Sequence, residues 1–322
     1  MTLRPAARKA ETGESRNESA GGAAEADMPR TFLALRSVLY VPGSNERALE
    51  KSRTLPADAF IFDLEDAVAP SAKEQARSRV CAAVGAGGFG RRQAVIRVNG
   101  LNSHWGFDDL AAAAKSPADA ILLPKVESGD MVRQAEAIMA ENGAADTMAI
   151  WCMVETPRGI LHAEEVAAAS RRIRCLVMGT SDLAKNLGAT HTRERLPFVT
   201  SLGVCLLAAR ACDVAIVDGV HLDLEDEDGF AHACRQGAEF GFDGKTLIHP
   251  KTISVANAAF SPSAQELAWS RRIIEASKEA RERGEGLVVV DGKLIENLHV
   301  EGARRSLLLA RAIADLEKDL AR

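Results

Sequence analysis

From Arg36 onward, short apolar runs alternate with amphipathic stretches. The runs are Ser37–Val41, Ala59–Leu64, Ala94–Val98, Ala120–Leu123, Ala149–Val154, Cys175–Met178, Val214–Val217 and Lys245–Ile248. They lack strict apolar–polar alternation, as parallel strands buried on both faces do. Between them, segments such as Ser71–Val84 and Gly129–Asn142 repeat apolar residues every three or four positions, which predicts helices. Successive runs start 22 to 39 residues apart, close to the length of a βαβ unit. Eight such units predict an α/β fold of the TIM (β/α)8 barrel type. A doubly wound open sheet is the alternative, but it would carry a phosphate loop behind its first strand. Gly85-Ala-Gly87-Gly-Phe-Gly90 matches the G-x-G-x-x-G of such a loop, yet a helix precedes it and a strand follows. That order is the reverse of what a dinucleotide site needs, so the glycines read as a helix-ending loop.

Beyond residue 250 the pattern changes. Ser263–Arg283 is a long charged helix, Leu287–Asp291 a short strand before a turn at Gly292, and about Val300 to Leu320 a final amphipathic helix. An eight-stranded barrel closes without this part. The organisation is therefore a tail over 1–30, a barrel domain over 31–262, and an appended C-terminal helical segment over 263–322. That last segment either caps its own barrel mouth or is lent to a neighbouring subunit. The first 30 residues carry few apolar side chains other than alanine and balance acidic with basic residues, which predicts a disordered tail rather than a signal or transit peptide.

Composition narrows the function. With 40 Lys+Arg against 45 Asp+Glu, the net charge of −5 offers no bulk attraction for nucleic acid or anionic lipid. Apolar stretches stay far below the roughly 20 residues of a membrane span. The six cysteines form no Cys-x-x-Cys pair and lie in apolar segments, which suits reduced, buried thiols in a cytoplasmic protein.

In a barrel, functional groups collect at the C-terminal ends of the strands. Those ends carry Tyr40 and Asn45, then Asp63, Glu65 and Asp66, then Arg97 and Asn99. Lys125 and Glu127 follow, then Glu155 and Arg158, then Thr180, Ser181 and Asp182, and finally His249-Pro250. Six carboxylates thus converge on one mouth, where burial is costly unless each is paired or metal-bound. Carboxylates completed by water and substrate oxygens suit Mg2+, and no histidine spacing suits zinc. Taken singly, Glu155 or Asp182 fits a helix cap, and Arg97 fits a partner for Asp63 or Glu65. The acidic run Asp223–Asp228 reads as solvated charge before a helix.

Seven ordered segments resemble the citrate lyase beta-subunit-like family of the HpcH/HpaI aldolase superfamily. They are Ser37-Val-Leu-Tyr-Val-Pro-Gly-Ser-Asn-Glu-Arg, Phe62-Asp-Leu-Glu-Asp-Ala-Val, Ile96-Arg-Val-Asn, Leu123-Pro-Lys-Val-Glu, Glu155-Thr-Pro-Arg-Gly, Gly179-Thr-Ser-Asp-Leu and Gly244-Lys-Thr-Leu-Ile-His-Pro. The resemblance runs from about residue 34 to the C-terminus. It implies a Mg2+-dependent acyl-CoA lyase, a homo-oligomer (trimer or hexamer) in which one subunit's C-terminal segment reaches a neighbour's site. By motif match it implies Glu155 and Asp182 as metal ligands, Arg97 as the clamp on a substrate carboxylate, and Ser181 as a further substrate contact. It implies Arg36 and the Ile248-His249-Pro250 loop near the CoA moiety. Many members carry a Gly-Lys-Met-Ile-Asp run near the C-terminus; here it reads Gly292-Lys-Leu-Ile-Glu296, so a glutamate stands where the family has an acid–base aspartate.

That variant looks like the subgroup containing citramalyl-CoA lyases of itaconate degradation. The implied reaction is retro-Claisen cleavage to acetyl-CoA and pyruvate, with Glu296, Glu65 or Asp66 moving the proton. Malyl-CoA or methylmalyl-CoA lyase, a citrate lyase beta subunit, and a non-catalytic barrel subunit are the alternatives.

Overall fold

The structure is a computed structural model and describes residues 33–284 and 288–320. The expectation of a disordered tail over 1–30 falls outside them. The first half of the barrel runs β1 (Ser37–Pro42), α1 (Glu46–Ser52), β2 (Ala59–Asp63), α2 (Lys73–Gly85), β3 (Gln93–Arg97), α3 (Gly106–Ala114), β4 (Ala120–Leu123) and α4 (Gly129–Glu141). The second half runs β5 (Ala149–Val154), α5 (Pro157–Leu161), α6 (Ala163–Ala168), β6 (Ile173–Met178), α7 (Thr180–Leu187), α8 (Val199–Ala211), β7 (Ala215–Asp218), α9 (Glu227–Phe240), β8 (Gly244–Leu247) and α10 (Ile253–Ala259). All eight strands pair in parallel, and β8 closes onto β1 through Ser37–Lys245, Val38–Thr246 and Leu39–Leu247. The predicted closed α/β barrel is present, with its strands within a residue or two of the apolar runs.

Strand periodicity divides the core into two layers. Val38, Ile61, Val95, Leu122, Trp151, Cys175 and Val217 point inward and fill the barrel. Their neighbours Leu39, Phe60, Phe62, Ile96, Ile121, Cys152 and Ile216 point outward against the helices. The same parity continues to the strand ends. Asp63 and Arg97, register partners on β2 and β3, belong to the inward set, as do Glu155 and Gly179 just beyond β5 and β6. Asp218 and Lys245, partners on β7 and β8, belong to the outward set. The glycine run after α2 contains three positive-φ residues, Gly87, Gly88 and Gly90, and leads into β3, so it is the loop predicted and not a nucleotide cradle.

Beyond α10, α11 (Ala264–Glu282) starts at a capping box between Ser263 and Glu266. A hairpin of β9 (Val288–Val290) and β10 (Lys293–Ile295) follows, then α12 (Asn297–Leu320). Ile313 and Leu316 of α12 pack on Ala34, just before β1. Asp315 bonds Arg91, just before β3, and Arg305 bonds Asp243, just before β8. The helix therefore crosses the N-terminal pole of the barrel, which corrects the alternative of a cap over its own mouth. The β9–β10 hairpin packs with Ile273 and Val300 in a small cluster of its own. None of the described helices is long and apolar enough to cross a membrane.

Candidate active site

The strand ends enclose a cavity of about 330 Å³ bounded by Tyr40, Asp66, Arg97, Glu155, Ser181 and Asp182, with Ile248 at its edge. The structure brings these sequence-predicted residues together. Glu155 follows β5 and is buried. Its Oε1 accepts the backbone N–H of Lys125 at 2.8 Å. Lys125 holds a positive φ of 49°, a strained backbone for a residue with a side chain, and that turn carries its N–H to the carboxylate. A Cβ on Gly179 would stand 2.4 Å from Glu155 Oε2, so only glycine leaves the carboxylate its space. Burial pushes the Glu155 carboxyl up to about 8, against the pull of Lys125. Among the described residues Glu155 makes no salt bridge.

Asp182 lies in the first turn of α7, part-exposed, 3.7 Å from Lys125 Nζ. Lys125 Nζ also donates to Glu65 Oε1 at 2.5 Å. Arg97 is buried and gives Nε and Nη2 to the two oxygens of Asp63, at 2.7 and 2.5 Å. Burial alone would raise Asp63, but this bidentate guanidinium, with the N–H groups of Glu65 and Ala67, holds it below the usual carboxylate range. The remaining Nη1 lies 2.9 Å from Glu65 Oε2, which nevertheless has no hydrogen-bond partner. Burial raises Glu65 despite Arg97 and Lys125. Asp66 is the exposed carboxylate of the pair and lines the cavity.

No group of three or more His, Cys, Asp or Glu side chains able to hold a metal occurs among the described residues. Two carboxylates facing one cavity still suit Mg2+, which keeps several water or substrate oxygens. The room that Gly179 leaves for the Glu155 carboxylate, and the lack of a salt bridge to it among the described residues, fit a cation there.

One expectation needs correction. Arg36 lies at the opposite pole, before β1, where Asp58 binds its Nε and Nη2 at 2.9 Å each and Glu317 of α12 lies 3.7 Å away. It ties the end of the barrel to the C-terminal helix and reaches no ligand at the mouth of its own chain. Glu296 sits exposed between β10 and α12, on the arm beyond that pole, and is not brought to the mouth of its own chain. His249 stays on the mouth side, where its Nδ1 accepts the N–H of Lys251 at 3.1 Å beside Pro250.

Lys73 is a site residue that motif reading missed. Its Nζ donates to the carbonyls of Leu64 and Glu65 at 2.8 and 2.6 Å and to Asn99 Oδ1 at 2.8 Å. Asn99 in turn donates to Leu64 O and Asp109, and Arg77 holds Asp109. The network fixes the loop that carries Glu65 and Asp66. A signal was present in the chain: Lys73 lies on the same stripe of α2 as Ala76, Val80 and Val84.

A parallel barrel with strand-end carboxylates around an oxygen-lined mouth is the layout of enzymes that hold a divalent ion at the C-terminal face. The chain belongs to the HpcH/HpaI aldolase/citrate lyase family, whose model matches residues 36–250. A (3S)-malyl-CoA thioesterase of Cereibacter sphaeroides is 49% identical over 279 residues, covering 87% of this chain and 95% of that protein. The citrate lyase subunit beta of Escherichia coli is 34% identical over 285 residues, 86% of this chain and 93% of that protein. Among solved structures, CitE of Mycobacterium tuberculosis in complex with magnesium, acetoacetate and coenzyme A is similar at a TM-score of 0.69 and 30% identity, covering 86% of this chain and 97% of that one.

Proposed function

We propose that the chain cleaves a carboxylated 3-hydroxyacyl-CoA thioester of the malyl type, with Mg2+ held by Glu155 and Asp182. The observation that carries this reading is Glu155, a buried carboxylate with a space made by Gly179 and no salt-bridge partner among the described residues. The magnesium and coenzyme A bound by the similar CitE support the ion and the thioester class. Bound there, Mg2+ supplies a Lewis acid for the hydroxyl and carboxylate oxygens of the substrate. Arg97 orients the carboxylate through Nη1, which Asp63 does not occupy and which otherwise faces Glu65 at 2.9 Å and Met153 Sδ at 3.8 Å. Ser181 adds a contact from the cavity wall, and Ile248, His249 and Pro250 flank the CoA.

Two bonds of such a substrate can break. In hydrolysis, water adds to the thioester carbonyl and the C–S bond breaks. The thiolate then takes a proton, giving free CoA and a hydroxy acid. The 49% identity to a (3S)-malyl-CoA thioesterase favours this reading. In retro-Claisen cleavage, a base removes the hydroxyl proton and the adjacent C–C bond breaks. A keto acid leaves, and the enolate of acetyl-CoA is protonated. Citramalyl-CoA would give pyruvate and acetyl-CoA, as itaconate degradation requires, and the similarity to a citrate lyase beta subunit favours this second reading. Asp66 and Glu65 are the proton carriers within the chain. Glu296 serves a neighbour's mouth in a homotrimer or hexamer, a role supported by the exposed Val289, Leu294 and Leu298 of its arm. A cytoplasmic location is supported by six cysteines without a disulfide, of which burial pushes Cys152 up to about 12.

Malyl-CoA and citramalyl-CoA, each incubated with the enzyme and Mg2+, distinguish the two readings. Free thiol without acetyl-CoA means hydrolysis, and acetyl-CoA with a keto acid means C–C cleavage. Turnover of neither thioester overturns the proposal.

A further inference from the structure

The outward set of residues at β7 and β8 builds a second polar cluster that the mouth chemistry does not use. Asp218 is fully buried and takes both Lys245 Nζ at 3.0 Å and Arg195 Nη1 at 2.6 and 2.8 Å. Arg195, itself 9% exposed, stands at a positive φ of 52° and gives Nε to Gln236 at 2.6 Å. Its Nη2 is buried without a hydrogen-bond partner. His221 Nε2 is likewise buried and unpartnered, 3.9 Å from Asp226 Oδ2, with its ring edge-on to Phe230. Both side chains line one cavity of about 290 Å³, which Arg193 and Thr180 also line. Among the described residues only four buried side-chain polar atoms lack a partner, and two of them belong to this wall.

The unpartnered guanidinium N–H is what favours an anion here. Lys245, Arg195 and Arg193 balance Asp218, Asp223 and Asp226, but Asp218 is taken up by Lys245 and Arg195 Nη1, and Arg193 has no ion pair or hydrogen bond among the described residues. Asp223 and Asp226 line the same cavity, Asp226 with one oxygen capping α9 and the other 3.9 Å from His221 Nε2. A buried guanidinium N–H without a partner is costly, and a ligand oxygen is the partner that relieves it. Thr180, Val220 and Leu222 line both this cavity and the mouth, so the two lie side by side.

We propose that this cavity is an anion subsite beside the mouth, taking a carboxylate or phosphate group against Arg195 with His221 as a second hydrogen-bonding partner. The group is either the distal anionic end of the substrate or a free small anion bound next to it.

Inorganic phosphate and succinate, titrated separately into the metal-free full-length protein and followed by calorimetry, test the subsite. Saturable binding at one site per chain is expected, weakened at least tenfold in Arg193→Gln and in His221→Leu. Arg195→Lys keeps a charge for Asp218 while removing Nη2, and is expected to show the same loss with unchanged circular dichroism. No saturable binding, or an affinity that folded variants leave unchanged, overturns the proposal. In turnover assays, competition between phosphate and the thioester means that the subsite holds the substrate's own anionic end. Non-competitive inhibition means a free anion. The binding measurements need no turnover, so they stand even if the proposed reaction fails.

Discussion

Asp182 reaches the mouth from the first turn of α7, while Glu155 reaches it from the end of a buried strand, so the two carboxylates differ in what their loss should do. Asp182 is part-exposed, and Asp182→Ala is expected to change metal-free stability by no more than about 0.5 kcal/mol. Mg2+ at a hundred times its dissociation constant should stabilise the wild type by about 2.7 kcal/mol. The variant should lose that gain together with turnover, and thermal unfolding with and without Mg2+ measures both. A variant still stabilised by Mg2+ would remove Asp182 from the metal site. At this scale the chain was readable where a residue type is rare in its setting, as with a carboxylate ending an apolar strand. It misled at Arg36, because a residue at a strand's start lies at the opposite pole from one at its end, and a motif spanning both ends does not separate them.

The strands and helices of the barrel were legible because each strand is an apolar run and each helix a stripe. The facing of the strands was not, since both layers are apolar and parity has no polar mark until the last residue. Hence Arg97 read as a partner for Asp63 or Glu65 without a choice between them, and Asp218 did not register as a buried charge. The Lys73 network was hidden for a related reason, because two of its three acceptors are main-chain carbonyls, which no side-chain pattern records. Lys73→Met should leave buried acceptors without their donor, costing about 1–3 kcal/mol of stability. It should also lower kcat about 10–100-fold, as loss of a group that orients site ligands does. The Mg2+-dependent gain in unfolding temperature should persist, which separates misplacement of Glu65 and Asp66 from loss of the metal site. For Asp218, burial alone would raise its pKa, but Lys245 and then Arg195 outweigh burial and hold it low. A depressed carboxylate stabilises the fold above its ordinary value of about 3.9, and that stability drains as pH falls through the folded value. Acid unfolding of Asp218→Asn should lack this component of the wild-type curve. At neutral pH the variant should be about 3–5 kcal/mol less stable, because two buried cations lose their partner.

The placement of α12 shapes the molecule as a whole. With Arg36, Arg91 and Asp243 holding that helix across the N-terminal pole, the hairpin and Glu296 extend away from their own mouth. A carboxylate so placed can join the chemistry only on another copy of the chain. If it does, Asp182→Ala and Glu296→Gln inactivate different halves of a shared site. Each variant alone should be folded and inactive. Co-expressed in equal amounts and randomly assembled, they should recover about a quarter of wild-type sites, those pairing an intact Asp182 with a neighbour's intact Glu296. Activity of the mixture against that of each variant alone measures this, and size-exclusion with light scattering reports whether mixed oligomers formed. If Glu296→Gln alone keeps full turnover, the arm carries no catalytic proton and the role passes to Asp66 and Glu65. If mixed oligomers form from two inactive variants and stay inactive, the sites are not shared between subunits, and the exposed apolar residues of the hairpin serve assembly alone.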